Sequence, residues 1–486
     1  MPRDDKHGPG SIEEASPAPS SPGKGLASGV WDRLGLVLAW TVLLIGVILW
    51  NLKPGAEEPA PTPEDVPNGR LVDSQIEMTG RMSLGLSQWM PGGPVETQML
   101  PLSQGSPAEQ ISFAIFMAAT SSPEEGTEIL EDVIERNPGD PVVDRFAPLV
   151  LSAFQAAEDG ERPSEEIAEQ LEERFGWFGQ LAVDLGDPER FQLMVQESQR
   201  GTGILFLFIL VFGLSGLLGL LGLVVLIVLA VSSDFSIRIP MPTRHGVYAE
   251  TFAAWLLLML LFQYVMGMIA RWIVVKFEPS INPGLIMSSV AFFASLVALV
   301  WPVLRGIPWS QVREDIGLKA PRWSDLPTGI ASWAMALPFM GIGLGITLTL
   351  MFMQQLMMGE ASTPSHPAQQ AAVGAGAWDL VQVFILASIA APIVEEIMFR
   401  GVFLTQLRAG TRRWPSWLGI TVAVGVSSIV FAAIHPQGLI FIPPLAGLAI
   451  GFCISRMWRG SLVPAMVAHG FSNGLVMSLN VLLFAS

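Results

Sequence analysis

Three short stretches in the C-terminal half place reactive side chains among apolar ones. APIVEEIMFRGVF (391–403) sets Glu395, Glu396 and Arg400 in an otherwise greasy run. SSIVFAAIHPQG (427–438) ends near His435, and VPAMVAHGFSNGLV (463–476) carries His469 and Asn473. An ionisable group at the centre of a membrane helix costs about 2.5–3.5 kcal/mol on insertion scales, which makes each one a functional candidate.

Glu396 and Arg400 are four apart, share a helix face and can neutralise each other. Glu395 lies about 100° around the helix from Glu396, so its own helix supplies no partner. It needs a partner elsewhere, a proton, or something such as a water to hold. His435 precedes Pro436, which disfavours helical geometry at the residue before it, so the helix is expected to end at this histidine. By itself His435 reads as a cap or an interface group. His469 and Asn473 share a face of the last helix, where polar glue between helices is the plain alternative.

Taken together, a carboxylate, two imidazoles and an amide suit hydrolysis. The carboxylate would take a proton from water and one imidazole would orient that water. The other imidazole and the amide would donate to the oxyanion of a tetrahedral intermediate. Measured from the cytoplasmic ends at about 1.5 Å per residue, Glu395 lies roughly 14–18 Å deep and His469 and Asn473 roughly 10–17 Å. His435 comes out near 27 Å by the same rise, a mismatch of about 10 Å.

The elements that must position these groups are membrane helices. Of 486 residues, 51% are hydrophobic and only 14% charged, well below the roughly 25% charge of soluble domains. Trp (15) and Phe (26) far outnumber Tyr (2). Apolar runs near 203–231, 249–270, 284–304, 327–354, 376–404, 417–435, 439–457 and 462–484 follow an earlier one at 33–50. The fold class is therefore all-α: a polytopic bundle of about nine transmembrane helices plus a small α-helical acidic extramembrane domain.

The expected organisation is a disordered tail (1–30), a transmembrane anchor (31–52) and a Pro/Gly-rich linker (53–105). An acidic α-helical domain (106–200) and a membrane domain (201–486) follow. Between Lys53 and Arg200 there are 28 acidic and 9 basic residues. That balance excludes nucleic acid, which needs a basic footprint. It leaves a protein partner of the acidic domain as an expectation. Helices there open on Ser, Asp or Pro with an acid in the first turn.

Bases gather in 232–248, 305–326, 405–416 and 456–460. By the positive-inside bias these loops are cytoplasmic, as is the N-terminus, and the acidic domain is on the outer face. A bacterial inner or plasma membrane is the expected location. The only cysteine, Cys453, excludes an intramolecular disulfide and a cysteine-rich metal site, and reads as a small buried apolar residue.

Glu395-Glu396-x-x-x-Arg400, Phe431-x-x-x-His435 and His469-x-x-x-Asn473 resemble, in order, the three motifs of the CPBP (CAAX protease and bacteriocin-processing, or Abi) intramembrane proteases. That family includes the type II CAAX prenyl endopeptidases. The likeness covers roughly 280–484, including the amphipathic loop 307–329. It implies an eight-helix core and a glutamate-dependent endopeptidase acting on a membrane-associated peptide or protein. By matching positions Glu395 would be the general base and His435 its partner on the water. His469 and Asn473 would form the oxyanion site, while Glu396 and Arg400 hold the first motif. The family is called a metalloprotease family. Glu395, His435 and His469 would be the ligands of a metal, and they allow Zn²⁺ without demanding it. A non-enzymatic immunity or scaffold protein and a proton-relaying transporter are the rival readings; no internal repeat supports the transporter.

Overall fold

The computed structural model describes residues 26–51, 71–72, 74–89, 98–232, 238–242, 246–277, 279, 281–358 and 377–484. Most of the expected tail and much of the linker lie outside that set.

The acidic domain is built from α3 (Pro107–Thr120), α4 (Pro123–Arg136), α5 (Pro141–Glu158), α6 (Glu165–Phe175) and α7 (Trp177–Asp184). Their starts are chemical. Ser106 and Glu109 form a capping box, and Ser122 and Asp140 accept from the first-turn amides of α4 and α5. Phe116, Phe146, Phe154, Phe175 and Phe178 are fully buried at the centre. Asp184 is buried beside Arg162, at 3.1 Å. Burial pushes its carboxyl above the usual aspartate range, against the pull of Arg162.

Two features of the expected organisation are different. The linker contains a helix, α2 (Ser74–Trp89), and a 3₁₀ turn at Leu100–Gln104. Gly85 lets α2 approach the backbone of Ser198 on the next long helix, a tertiary contact that local Pro/Gly composition does not reveal. The boundary at 200/201 falls inside one continuous helix, α8 (Pro188–Val231). It has no proline after Pro188, and at about 1.5 Å per residue it is about 66 Å long.

The membrane bundle follows with α1 (Leu26–Asn51) packed on α9 (Val247–Phe277). Next come α10 (283–304, with a 3₁₀ stretch at Leu296–Leu299), α11 (Trp309–Ile316) and α12 (Asp325–Met358). The set ends with α13 (377–410), α14 (Ser416–Ala433), α15 (Ile442–Arg459) and α16 (Val463–Phe484). Among the described residues seven helices are long and apolar enough to cross a membrane, from α8 through α10 and from α12 through α15. Helices α1 and α16 are the other two of the nine expected, and neither is in that set of seven. The protein is a multi-pass helical membrane protein. The amphipathic loop is helical in part, as α11. There Asp315 accepts from the Tyr248 hydroxyl at 2.7 Å and from Gln311 at 2.8 Å. Its carbonyl takes Thr405 and the fully buried Arg456, both at 3.3 Å, tying α9, α13 and α15 to one turn.

Candidate active site

Helix α13 is irregular where it matters. It widens to π-helix at Leu386–Ala390 and again at Ile397–Phe403, with α geometry at Ala391–Glu396 between them. In the first widened stretch the Ala391 amide donates five residues back to Leu386. The next amide in that pattern would be residue 392, but Pro392 has no N–H, so the Ala387 carbonyl is left over. Asn473 of α16 fills the vacancy, its Nδ2 donating to Ala387 at 2.8 Å. Three residues along α16, Gly470 lies against the same stretch, where a Cβ would stand 2.5 Å from the Ser388 carbonyl. The missing side chain lets α16 come close enough for His469 to reach α13.

The three motifs then converge. Glu395 Oε2 lies 3.9 Å from His435 Nε2 and 3.8 Å from His469 Nε2. Glu396 Oε1 accepts from Arg400 Nη1 at 2.7 Å and lies 3.0 Å from His469 Nδ1. Glu396 and Arg400 have no exposed side-chain surface, whereas Glu395 and His435 keep 14% and 16%. The pair is sealed while the neighbouring carboxylate keeps a small exposed edge.

The partners fix the imidazole tautomers. His435 Nδ1 is 2.6 Å from the Phe431 carbonyl. A carbonyl only accepts, so Nδ1 carries the proton. His469 Nδ1 lies 3.0 Å from the Glu396 oxygen that accepts from Arg400, so it also donates. Both rings therefore turn Nε2 toward Glu395. Phe431 lies 4.4 Å from the His435 ring and 5.6 Å from His469. The Arg400 guanidinium sits 4.2 Å over Phe431 and 5.3 Å over Phe452.

Sequence reasoning missed two parts of this arrangement. It paired Glu396 with Arg400 alone, but Glu396 also holds His469. It passed over Phe452, which stacks on His469 at 5.3 Å. No spacing within one helix links α15 to α16, and an apolar phenylalanine next to Cys453 carries no signal. Asn473 is held at the π turn, and one of its two amide hydrogens is used there. Against Glu395 the depth mismatch of His435 is largely absent, because α13 runs on to Gly410, six residues past 404, adding about 9 Å.

Among the described residues no group of three His, Cys, Asp or Glu side chains is placed to hold a metal ion. With bonds of about 2.0–2.1 Å a tetrahedral zinc site sets its ligand atoms about 3.3 Å apart. The separations of 3.8 and 3.9 Å exceed that. As placed, Glu395, His435 and His469 do not fit zinc, and no step below passes through one.

Residues 377–475 match a family model described as type II CAAX prenyl endopeptidase Rce1-like. No curated protein matches, and no solved structure does. The matched stretch holds Glu395, Glu396, Arg400, Phe431, His435, His469 and Asn473, and the match supports a CPBP/CAAX protease family for this part of the chain.

Proposed function

We propose that the chain is an intramembrane endopeptidase that hydrolyses a peptide bond in a membrane-associated peptide or protein, with water activated at Glu395. The observation that carries this reading is the placement of Glu395 Oε2 between two Nε2 atoms at 3.8 and 3.9 Å. A water about 2.8 Å from both Glu395 Oε2 and His435 Nε2 spans that gap with an angle of about 90° between its partners. It donates one hydrogen to each and turns its lone pairs outward.

When that oxygen attacks the scissile carbonyl carbon, Glu395 takes the proton on Oε2. The carbonyl oxygen becomes an oxyanion. The second amide hydrogen of Asn473 and, when protonated, His469 Nε2 are the donors for it. Collapse of the intermediate breaks the C–N bond, and the proton on Glu395 passes to the leaving amine. Glu396 does not touch water in this scheme; it positions His469.

The base-rich loops support a cytoplasmic N-terminus and an acidic domain on the outer face. The test is peptide release from membrane substrates by purified wild type and Glu395→Gln, together with comparative proteomics of cells carrying each. Loss of cleavage in a variant that unfolds like wild type supports the proposal. Equal cleavage overturns it. Substrate capture that survives joint replacement of Glu395, His435 and His469, without cleavage by wild type, would make the chain a scaffold.

A further inference from the structure

A cavity of about 340 Å³ lies far from Glu395, where the acidic domain meets the bundle. Its walls come from α2, the start of the membrane part of α8, and the far end of α16. Two guanidiniums, Arg81 and Arg200, and one carboxylate, Glu197, line it together with Ile204, Val481 and Leu482. The size falls within the range of small-molecule sites.

Its depth is set by its neighbours. Helix α8 changes from polar to lipid-facing just past the cavity, with Phe206 and Leu207 more than half exposed. Trp89, half exposed and 6.0 Å from Phe206, marks the same level, where membrane proteins gather tryptophan. The cavity therefore straddles the membrane surface, with charged groups on the domain side and apolar groups on the bundle side. Leu207 lies one turn beyond Ile204 on α8, so the apolar wall continues down an exposed helix face.

We propose that this cavity holds the headgroup of an aminophospholipid, with its acyl chains along that face. Two cations and one anion match a phosphate joined to an ammonium. Arg81 and Arg200 take the phosphate oxygens by charge-assisted hydrogen bonds, and Glu197 takes the ammonium. Between Lys53 and Arg200, with 28 acids and 9 bases, two arginines meeting at the membrane level is the local exception. A free anion is disfavoured by the surrounding charge, whereas a zwitterion with an apolar tail is not.

The full chain in nanodiscs of equal phosphatidylethanolamine, phosphatidylglycerol and phosphatidylcholine is stripped by detergent, and retained lipid is counted by native mass spectrometry. Wild type is expected to keep one phosphatidylethanolamine per chain. Arg81→Gln/Arg200→Gln should keep about tenfold less, and Arg81→Lys/Arg200→Lys should recover part of the retention. Glu197→Gln should abolish the preference over phosphatidylcholine. The proposal is overturned if wild type retains no lipid selectively, if the Gln and Lys pairs behave alike, or if inorganic phosphate displaces the lipid.

Discussion

Replacing Glu396 separates two jobs held by one carboxylate. Glu396→Gln removes the charge that neutralises Arg400 and replaces the acceptor-only group beside His469 Nδ1 with an amide that can accept or donate, so the His469 tautomer is no longer fixed. The first loss acts on stability. Arg400 is 1% exposed, and its Nε and Nη2 have no hydrogen-bond partner. Among the described residues its one ion pair is with Glu396 at 2.7 Å, and the rings of Phe431 and Phe452 lie against it. Breaking a buried pair by removing one partner costs about 3–5 kcal/mol, and the bareness of Arg400 puts this case at the upper end. Replacing both partners with apolar side chains of similar volume is often neutral or stabilising. Glu396→Gln should therefore unfold early in detergent, while Glu396→Gln/Arg400→Met recovers most of that loss. Peptide cleavage is the second readout. The double variant still lacks the carboxylate that holds His469 Nδ1–H, so kcat should stay well below wild type while the thermal midpoint returns. A double variant that recovers both stability and kcat would show that Glu396 serves Arg400 alone, and the orienting role would be wrong.

Further predictions concern the joints around the site. Gly470→Ala puts a Cβ 2.5 Å from the Ser388 carbonyl. The forced separation of α16 from α13 should lower stability by about 1–3 kcal/mol and reduce cleavage, both read on the purified protein. Asn473→Ala leaves the Ala387 carbonyl unpaired at about 1–3 kcal/mol, so thermal unfolding should fall even where no substrate is present; an unchanged midpoint would sever the link to Pro392. Chelation by EDTA should leave cleavage unchanged, since the three candidate ligands are not spaced for zinc; loss restored by added zinc would contradict that. In the acidic domain, burial raises the Asp184 carboxyl above its unfolded value near 3.9. The folded state then binds the proton more tightly, so stability from this group is complete below that value and lost as pH rises. Asp184→Asn should gain on wild type as pH rises above about 4 in thermal scans, and a constant difference would refute the assignment.

The membrane helices were legible because length and apolarity alone mark them, although α8 starts at Pro188, α9 runs to Phe277 and α13 to Gly410, all beyond the expected ends. The i, i+4 pair of Glu396 and Arg400 was legible for the same reason: one helix holds both partners. What escaped the sequence crosses between helices. The hold of Glu396 on His469 and the stacking of Phe452 depend on how α13, α15 and α16 pack, which no local spacing encodes. Helix α2 escaped because its partner, α8, lies more than a hundred residues away, while Pro and Gly nearby suggest irregular chain. The π turns of α13 had one visible trace, Pro392, whose missing amide becomes informative only once Asn473 is seen to answer it.

Helix α8 joins the acidic domain to the bundle without a break, and this makes the joint a shaft rather than a tether. Each residue added within its lipid-facing part would turn the domain by about 100° and lift it by about 1.5 Å. Four added residues would bring the domain back near its original bearing about 6 Å higher, whereas two would swing it to the far side. The bearing of the domain on the bundle is thus written as a count of residues.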